Sequence, residues 1–338
     1  MQTAIGFDVG RSSVKIVAAR GNTREELLFP SAVCPAFTIN DDKGAARAAA
    51  ETVFVGGKYF FIGETALLQG GDDLSGGLRD DWVYSEQHSA LFLGGLNRLK
   101  ATGMAGIESA LIVVGLPGAL YASQKAGLRH ELGRLVPRAE IRVMPQPMGP
   151  YQELLFAPDG QESHAVNADD DSYAVIEVGQ YTTDFALLLH GHTIENAFGS
   201  CDGMRIAAEH LQRSLRQSQI AVSMAEATDL LRTKTLRNFG ARIDVSEQVV
   251  RAVEPLATQI VDKANQLIGK SARSLDGILV AGGGAPLVLE TLQKAWPHAR
   301  LSQNSRFSVA EGFCRYSLAL SRYRNGTADE HEAASEVR

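Results

Sequence analysis

A chain of 338 residues is long enough for two hydrophobic cores, and 45% hydrophobic with 21% charged residues is the make-up of an ordinary globular protein. Its 33 Lys and Arg against 39 Asp and Glu give a net charge of −6, which argues against a surface that grips nucleic acid over a broad face. A role on DNA through a basic partner stays open. Cys34, Cys201 and Cys314 are too few and too scattered for a disulfide scaffold or a zinc knuckle, and read as small buried hydrophobes in a reducing cytosol. The start, Met1 to Gly6, lacks the basic and apolar regions of a signal peptide, and no run approaches 18 apolar residues. A cytoplasmic protein with no membrane partner is expected.

The first twenty residues predict a hairpin, Gln2–Val9 and Val14–Ala19 around the turn Gly10-Arg11-Ser12-Ser13. Leu27–Val33 is a third strand, bent or at an edge because of Pro30. Residues 40–52 suit a loop or short surface helix, and Val53–Gly63 a second hairpin around Gly56-Gly57. Gly70–Gly77, with four glycines and two aspartates, predicts a mobile loop. Then come a helix over 85–102, a strand over 110–114, a helix over 123–136, a strand over 141–144 and a short helix over 149–156. The polar stretch 157–171 reads as an exposed connector between domains.

After it the opening pattern returns: a strand over 173–178, a turn over 179–182 and a strand over 183–189. Helices follow over 204–217 and 246–272, the second with Pro255 as a kink. A strand over 277–281 runs into Gly282-Gly283-Gly284, followed by helices over 286–296 and 308–324 and a frayed tail over 325–338. The alternation of strands and helices gives an α/β fold.

Three glycine turns and one strand end hold the candidate chemistry. In Gly6-Phe7-Asp8-Val9-Gly10-Arg11-Ser12-Ser13-Val14-Lys15, backbone N–H groups and hydroxyls can face an anion. Asp8 can hold Mg²⁺ through water, and Lys15 supplies a point charge for phosphate. An ordinary hairpin with an acid in its turn would look the same. The second turn, Glu177-Val178-Gly179-Gln180-Tyr181-Thr182-Thr183-Asp184, repeats the scheme, and a repeat is harder to dismiss than one occurrence. Gly282-Gly283-Gly284 lets a ring or ribose approach bare backbone at a helix start, or is simply a tight junction. Gln146, between Pro145 and Pro147, can orient a water for attack on phosphate or merely close a turn.

Taken together, these segments resemble the actin-like ATPase superfamily, and within it the bacterial plasmid-segregation actins of the ParM/StbA type. Phe54–Ala66 is similar to their small-subdomain hairpin, Gly115-Leu116-Pro117 with Tyr121 to their GLP segment, and Val143–Tyr151 to their first connecting segment. The resemblance covers about residues 3–323. It implies a duplicated, ribonuclease-H-like two-domain fold with a nucleotide cleft between the domains. Domain I would span 1–156 with a small subdomain at about 28–85. Domain II would span 172–324 with a small subdomain at about 204–274, and 325–338 would be a flexible tail.

The resemblance also implies ATP/ADP and Mg²⁺ as cofactors. Asp8 and Glu177 would reach the metal through water, and Asp8, Gln146, Glu177 and Asp184 would form the catalytic set. Gly10, Arg11, Ser12, Ser13, Lys15, Gly179, Gln180, Tyr181, Thr182, Thr183, Gly203, Gly282, Gly283 and Gly284 would bind the nucleotide. Polar groups of 202–205 and 232–234 would approach it. Glu177 departs from the usual aspartate and Gln146 from the glutamate of several near relatives, which leaves the hydrolysis rate open. The implied function is a bacterial, cytoplasmic, ATP-hydrolysing filament that segregates plasmid DNA. It would use head-to-tail contacts with itself and a basic adaptor at a centromere-like site, without touching nucleic acid or membrane directly. A small-molecule kinase, a chaperone-like binder and a non-hydrolysing ATP-binding scaffold are the alternatives on the same fold. No sugar-kinase signature, no room for a substrate domain and no amphipathic anchor speak for them.

Overall fold

β-Branched and aromatic runs broken by glycine turns build most of the first unit. The computed structural model describes residues 2–71, 79–164 and 166–336, with side chains to 324. The expected loop 70–77 lies mostly outside the described residues. The chain divides into two units, 1–166 with 309–338, and 167–308.

In the first unit, β1 (Ala4–Val9) and β2 (Ser13–Arg20) form the expected hairpin, and β3 (Thr23–Pro30) extends it antiparallel. β4 (Val33–Pro35), α1 (Asp42–Ala50), β5 (Thr52–Val55), β6 (Lys58–Ile62) and α2 (Gly63–Gln69) make a small three-stranded sheet with two helices. Gly56 and Gly57, at φ 58° and 82°, form its tight turn. α3 (Glu86–Ala101), capped by the Ser85 hydroxyl, precedes β7 (Leu111–Leu116), α4 (Gly118–Leu135), β8 (Glu140–Pro145) and α5 (Met148–Leu155). The main sheet runs β3-β2-β1-β7-β8, with β1, β7 and β8 parallel. Its core packs Ile5, Phe7, Phe92, Leu96 and Ile112.

The second unit repeats that order as β11-β10-β9-β15-β16, with β12 added beside β10. β9 (Tyr173–Val178), β10 (Thr182–Leu189), β11 (His192–Thr193) and β12 (Gly199–Asp202) lead into α6 (Met204–Gln217). α7 (Met224–Thr233) and the hairpin β13 (Thr235–Asn238) and β14 (Ala241–Asp244) follow, then α8 (Ser246–Ile268), which continues through Pro255. β15 (Gly277–Ala281), α9 (Ala285–Ala295) and β16 (Ala299–Leu301) complete the unit.

The last helix, α10 (Ser308–Glu336), departs from expectation twice. It belongs to the first unit, not the second, and its backbone stays helical into the residues read as a tail. Glycines explain the placement: a Cβ on Gly6 would strike the Ala310 carbonyl, and one on Gly312 the Gly149 carbonyl. Backbone therefore packs on backbone between α10, β1 and α5. Buried Glu311 accepts from Arg24 and Arg315, and Arg315 donates to the carbonyls of Glu153 (2.7 Å) and Phe156 (2.8 Å).

Candidate functional site

Asp8 lies near the end of β1, almost wholly buried, where the strand gives way to the glycine turn. A buried carboxylate needs a counter-charge and hydrogen bonds. Lys15 supplies the charge from β2, donating to Oδ2 at 2.8 Å, because Asp8 and Lys15 are cross-strand partners. Gln146 supplies the second bond, its Nε2 donating to Oδ1 at 2.8 Å from 138 residues away.

The sheet order explains that meeting. β1 and β8 flank β7, and Gly115 on β7 has no side chain to block the path. A Cβ there would stand 2.8 Å from Gln146 Cγ. Gln146 is held at both ends of its backbone unit: its N–H donates to the Leu116 carbonyl (2.7 Å), and its carbonyl accepts from Gly149 (2.9 Å). With the amide nitrogen committed to Asp8, its side-chain oxygen remains an acceptor for a water. Ser12 is exposed, Gly10 and Ser13 half-buried, and Ser31 braces the turn from beneath through the carbonyls of Gly10 and Ser12. Arg11 turns instead toward Asp80 (3.8 Å) and the Arg79 carbonyl.

The corresponding turn of the second unit is fastened through backbone. Gly179 N–H donates to Thr182 O (2.9 Å), Gly203 N–H to Tyr181 O (3.0 Å), Met204 N–H to Gly179 O (3.0 Å) and Arg205 N–H to Gln180 O (2.7 Å). The first amides of α6 are thus spent on holding the turn. Gly203 is required at this seam, since a Cβ would lie 2.7 Å from both Gly179 O and Thr182 N. Thr182 donates to Asp184 Oδ2 (2.8 Å), and Thr183 to the Asp202 carbonyl (2.9 Å). Gln180 donates to Thr228 (3.2 Å), and Tyr181 lies beneath the Arg205 guanidinium at 5.8 Å.

Glu177 and Asp184 are buried cross-strand partners. Like charges directly opposite repel, and a nearby cation relieves them. Glu177 reaches the third glycine turn: a Cβ on Gly282 would stand 2.6 Å from its Oε1 and would also strike the Val178 carbonyl. Gly282 sits at φ 89°, which favours glycine alone. Gly284 N–H donates to Val178 O (3.0 Å), while Gly283 opens onto free space.

The first unit therefore gathers Asp8, Lys15 and Gln146 around one carboxylate, and the second gathers Glu177, Gly179 and Gly282. Each set holds one carboxylate, Asp8 or Glu177, an oxygen ligand of the kind that suits a hydrated Mg²⁺, and the described residues form no cluster of three or more metal-ligating side chains. The other polar groups expected nearby are engaged in place: Asp202 accepts from Gln259 (2.9 Å), Arg205 pairs with Glu209 (3.0 Å), Arg232 with Asp229 (2.7 Å). Arg306 escaped the sequence reading. Loss of solvation and repulsion from Arg232 push its pKa down, and the neighbouring Ser305 carbonyl accepts from Gly282 N–H (2.7 Å). Cys201 is a packed thiol, pushed up to about 11 by burial. No helix of the described residues is long and apolar enough to cross a membrane.

Two family models match, one to each half of the chain. Actin-like proteins N-terminal domain matches residues 6–149, and archaeal actin homologue MreB-like, C-terminal, matches 175–294. Among solved structures, a 15-stranded ParM filament from Clostridium botulinum is similar at 20% identity and TM-score 0.72, over 94% of this chain and 99% of that one. A non-polymerisable quadruple mutant of pCBH ParM is similar at 21% and 0.71, over 94% and 99%. Ta0583, an archaeal actin homologue, in complex with ADP, is similar at 17% and 0.67, over 92% and 97%. No curated protein matches the chain in sequence.

Proposed function

We propose that this chain, each half of which matches a family model of actin-like proteins, is a Mg-ATP-hydrolysing, filament-forming protein that segregates plasmid DNA. The observation that carries this reading is the Asp8 centre, where one buried carboxylate is held by a phosphate-capable lysine and by a glutamine free to accept from a water. Gly10, Ser12 and Ser13 would hold phosphate oxygens with Lys15. Gly179 and Thr182 would do so in the second unit. Gly282–Gly284 would take the adenosine, since a side chain at Gly282 has no room and Gly283 faces open space. Mg²⁺, when bound, neutralises phosphate charge, and Asp8 and Glu177 would hold its water shell. Gln146 would orient the attacking water through its side-chain oxygen.

Self-association is supported by the likeness to a filament-forming ParM. The net charge of −6 fits a chain that reaches DNA through a basic adaptor at a centromere-like site, not by itself. Electron microscopy with and without ATP, alongside phosphate release, tests the reading. ATP-dependent filaments with released phosphate are expected. A species that stays monomeric with ATP and with a non-hydrolysable analogue would move the assignment to a small-molecule kinase or an ATP-binding scaffold.

A further inference from the structure

The main sheet of the first unit ends in an open edge. β8 is its last strand, paired with β7 on one side and with no strand among the described residues on the other. The Glu140 and Gln146 N–H groups donate inward, to the Ala110 (2.9 Å) and Leu116 (2.7 Å) carbonyls. By the two-residue period of a strand, the backbone groups of Ile141 and Val143 therefore point outward. Pro145, at the next outward position, has no N–H to offer. The Val143 carbonyl accepts from the Tyr121 hydroxyl at 3.4 Å. The remaining outward groups are the Ile141 N–H and carbonyl and the Val143 N–H.

Two helices flank this edge from opposite faces of the sheet. Ile141 and Val143 face α4, in the core that holds Leu128, Leu132 and Tyr121, whereas Met144 packs with Phe313 and Tyr316 of α10. Between them lies a cavity of about 420 Å³, within the size range of ligand sites. Its lining holds three cations, Lys125 and Arg129 of α4 and Arg142 of β8, and no acid. Lys125 and Arg129 are exposed, and neither pairs with an acid among the described residues; Glu131 of the same helix pairs with Arg134 (3.6 Å). Glu140, the acid of β8, is already shared between Arg142 (3.0 Å) and both terminal nitrogens of Arg324 (2.6 and 2.9 Å). On a chain of net charge −6, this is a local concentration of positive charge along a strand edge.

We propose that this edge takes an extended acidic segment of another protein, which adds to the five-stranded sheet as a sixth strand beside β8. Backbone bonds to Ile141 and Val143 would hold it, the general means by which a sheet edge captures a peptide. Its side chains, pointing alternately to the two faces, would meet Lys125 and Arg129 beside α4 and Arg142 beside α10, and the Tyr121 and Tyr316 rings would cover its apolar positions. A small anion could use the cations but not the strand edge that runs beside them. The contact lies within the first unit and uses none of the residues proposed to hold the nucleotide, so it does not depend on that reading.

The test is selection of random phage-displayed peptides of about twelve residues on the full chain, followed by anisotropy titration of the selected peptides, labelled with fluorescein. The selected sequences should be rich in Asp and Glu. Lys125→Glu with Arg129→Glu, at two exposed positions that leave folding undisturbed, should weaken their binding about tenfold or more, and Arg142→Glu should do the same. Hydrogen exchange supplies the mark of an added strand: the Ile141 and Val143 amides should slow when peptide is bound. Selection without enrichment in acids, or binding unmoved by both sets of charge reversals, would overturn the proposal. Charge-dependent binding that leaves exchange in β8 unchanged would reduce the site to a cationic patch and overturn the added strand. Binding that appears only with Asp329→Lys and Glu330→Lys would make this chain's own acidic C-terminal segment the occupant, and would overturn it as well.

Discussion

The two units share one strand order but are fastened differently. In the first, ion pairs join different elements: Lys15 to Asp8 across a hairpin and, between segments distant in the chain, Arg98 to Glu51, Arg24 to Glu311 and Arg324 to Glu140. In the second, the ion pairs among the described residues stay within single helices, at spacings of three or four: Arg205–Glu209, Arg232–Asp229, Arg251–Glu247 and Lys294–Glu290. Such exposed local pairs add little. What locks the second unit's turn is backbone, at Gly179, Gly203 and Gly282. Close glycine contacts occur in both units, at Gly6 and Gly312 in the first and at Gly203 and Gly282 in the second, so the comparison teaches that one repeated scaffold can carry ion pairs between its segments or do without them. Charge substitutions should then damage the first unit more than the second.

The largest effect is expected at Asp8. Asp8→Ala removes the partner of a mostly buried ammonium, so it should cost about 3 kcal/mol of stability. It should also reduce phosphate release by about 10³-fold, read under Mg-ATP. Unchanged turnover in a folded variant would end the catalytic reading of this centre.

Next is Gly282→Ala, which attacks the second unit through sterics. A methyl group at φ 89° would press on the Val178 carbonyl and stand 2.6 Å from Glu177 Oε1. A loss of about 2 kcal/mol is expected by denaturant titration, with weaker nucleotide binding. Salt should scarcely alter this loss, whereas it should alter the effect of charge substitutions in the first unit.

Gly115→Ala and Gln146→Ala should resemble one another. The first pushes the glutamine off Asp8 from the intervening strand, and the second deletes its amide. In both, ATP affinity should persist while single-turnover hydrolysis slows by about tenfold. Divergent behaviour of the two variants would show that Gly115 acts through Phe313, its other close neighbour at 3.1 Å, and not through Gln146.

How far these features were legible in the sequence depends on what fixed them. The hairpin of residues 2–20, the strand at 277–281 and the helix at 204–217 carry their own signal in alternation, turn glycines and helical spacing. The acid before each of the first two glycine turns and the glycine that follows it were readable for the same reason. Helix α7 was missed although its Ser223 and Glu226 form a capping box, a local signal that was there to find. β13 and β14 are four residues each, with arginines where a half-buried strand would alternate, so periodicity says little. The placement of α10 and the crossing of Gln146 to Asp8 are tertiary: they depend on Gly6, Gly115 and Gly312 meeting backbone or side chains far away in the chain. A bare glycine gives no hint of what will occupy the space beside it.

The smallest of these effects, and the one that most directly sharpens the contrast between the units, is the response to acid. His88, in the first unit, is fully buried, its Nδ1 without a hydrogen-bond partner among the described residues and its ring edge-on to Trp82. Burial pushes its pKa down to about 3, so the unfolded chain takes up a proton near pH 6.5 that the folded chain refuses until about pH 3. Between those limits the unfolded state holds more protons, and stability falls as pH falls. Glu140 acts lower on the scale. Arg324 hydrogen bonding, then Arg142, hold its carboxyl down to about 2 against partial desolvation, so its contribution is complete above about pH 4.5 and lost as pH drops toward 2. At roughly pH 5.5 the histidine alone should cost about 1 kcal/mol. His88→Met should flatten the slope of stability between pH 6.5 and 3 and leave the lower, Glu140-linked loss in place. Hydrogen exchange resolved by segment should show the acid effect in α3 and the sheet around β1, while β9, β10 and β15 stay protected. Equal acid sensitivity in both sheets would mean that charge does not distinguish the fastening of the two units.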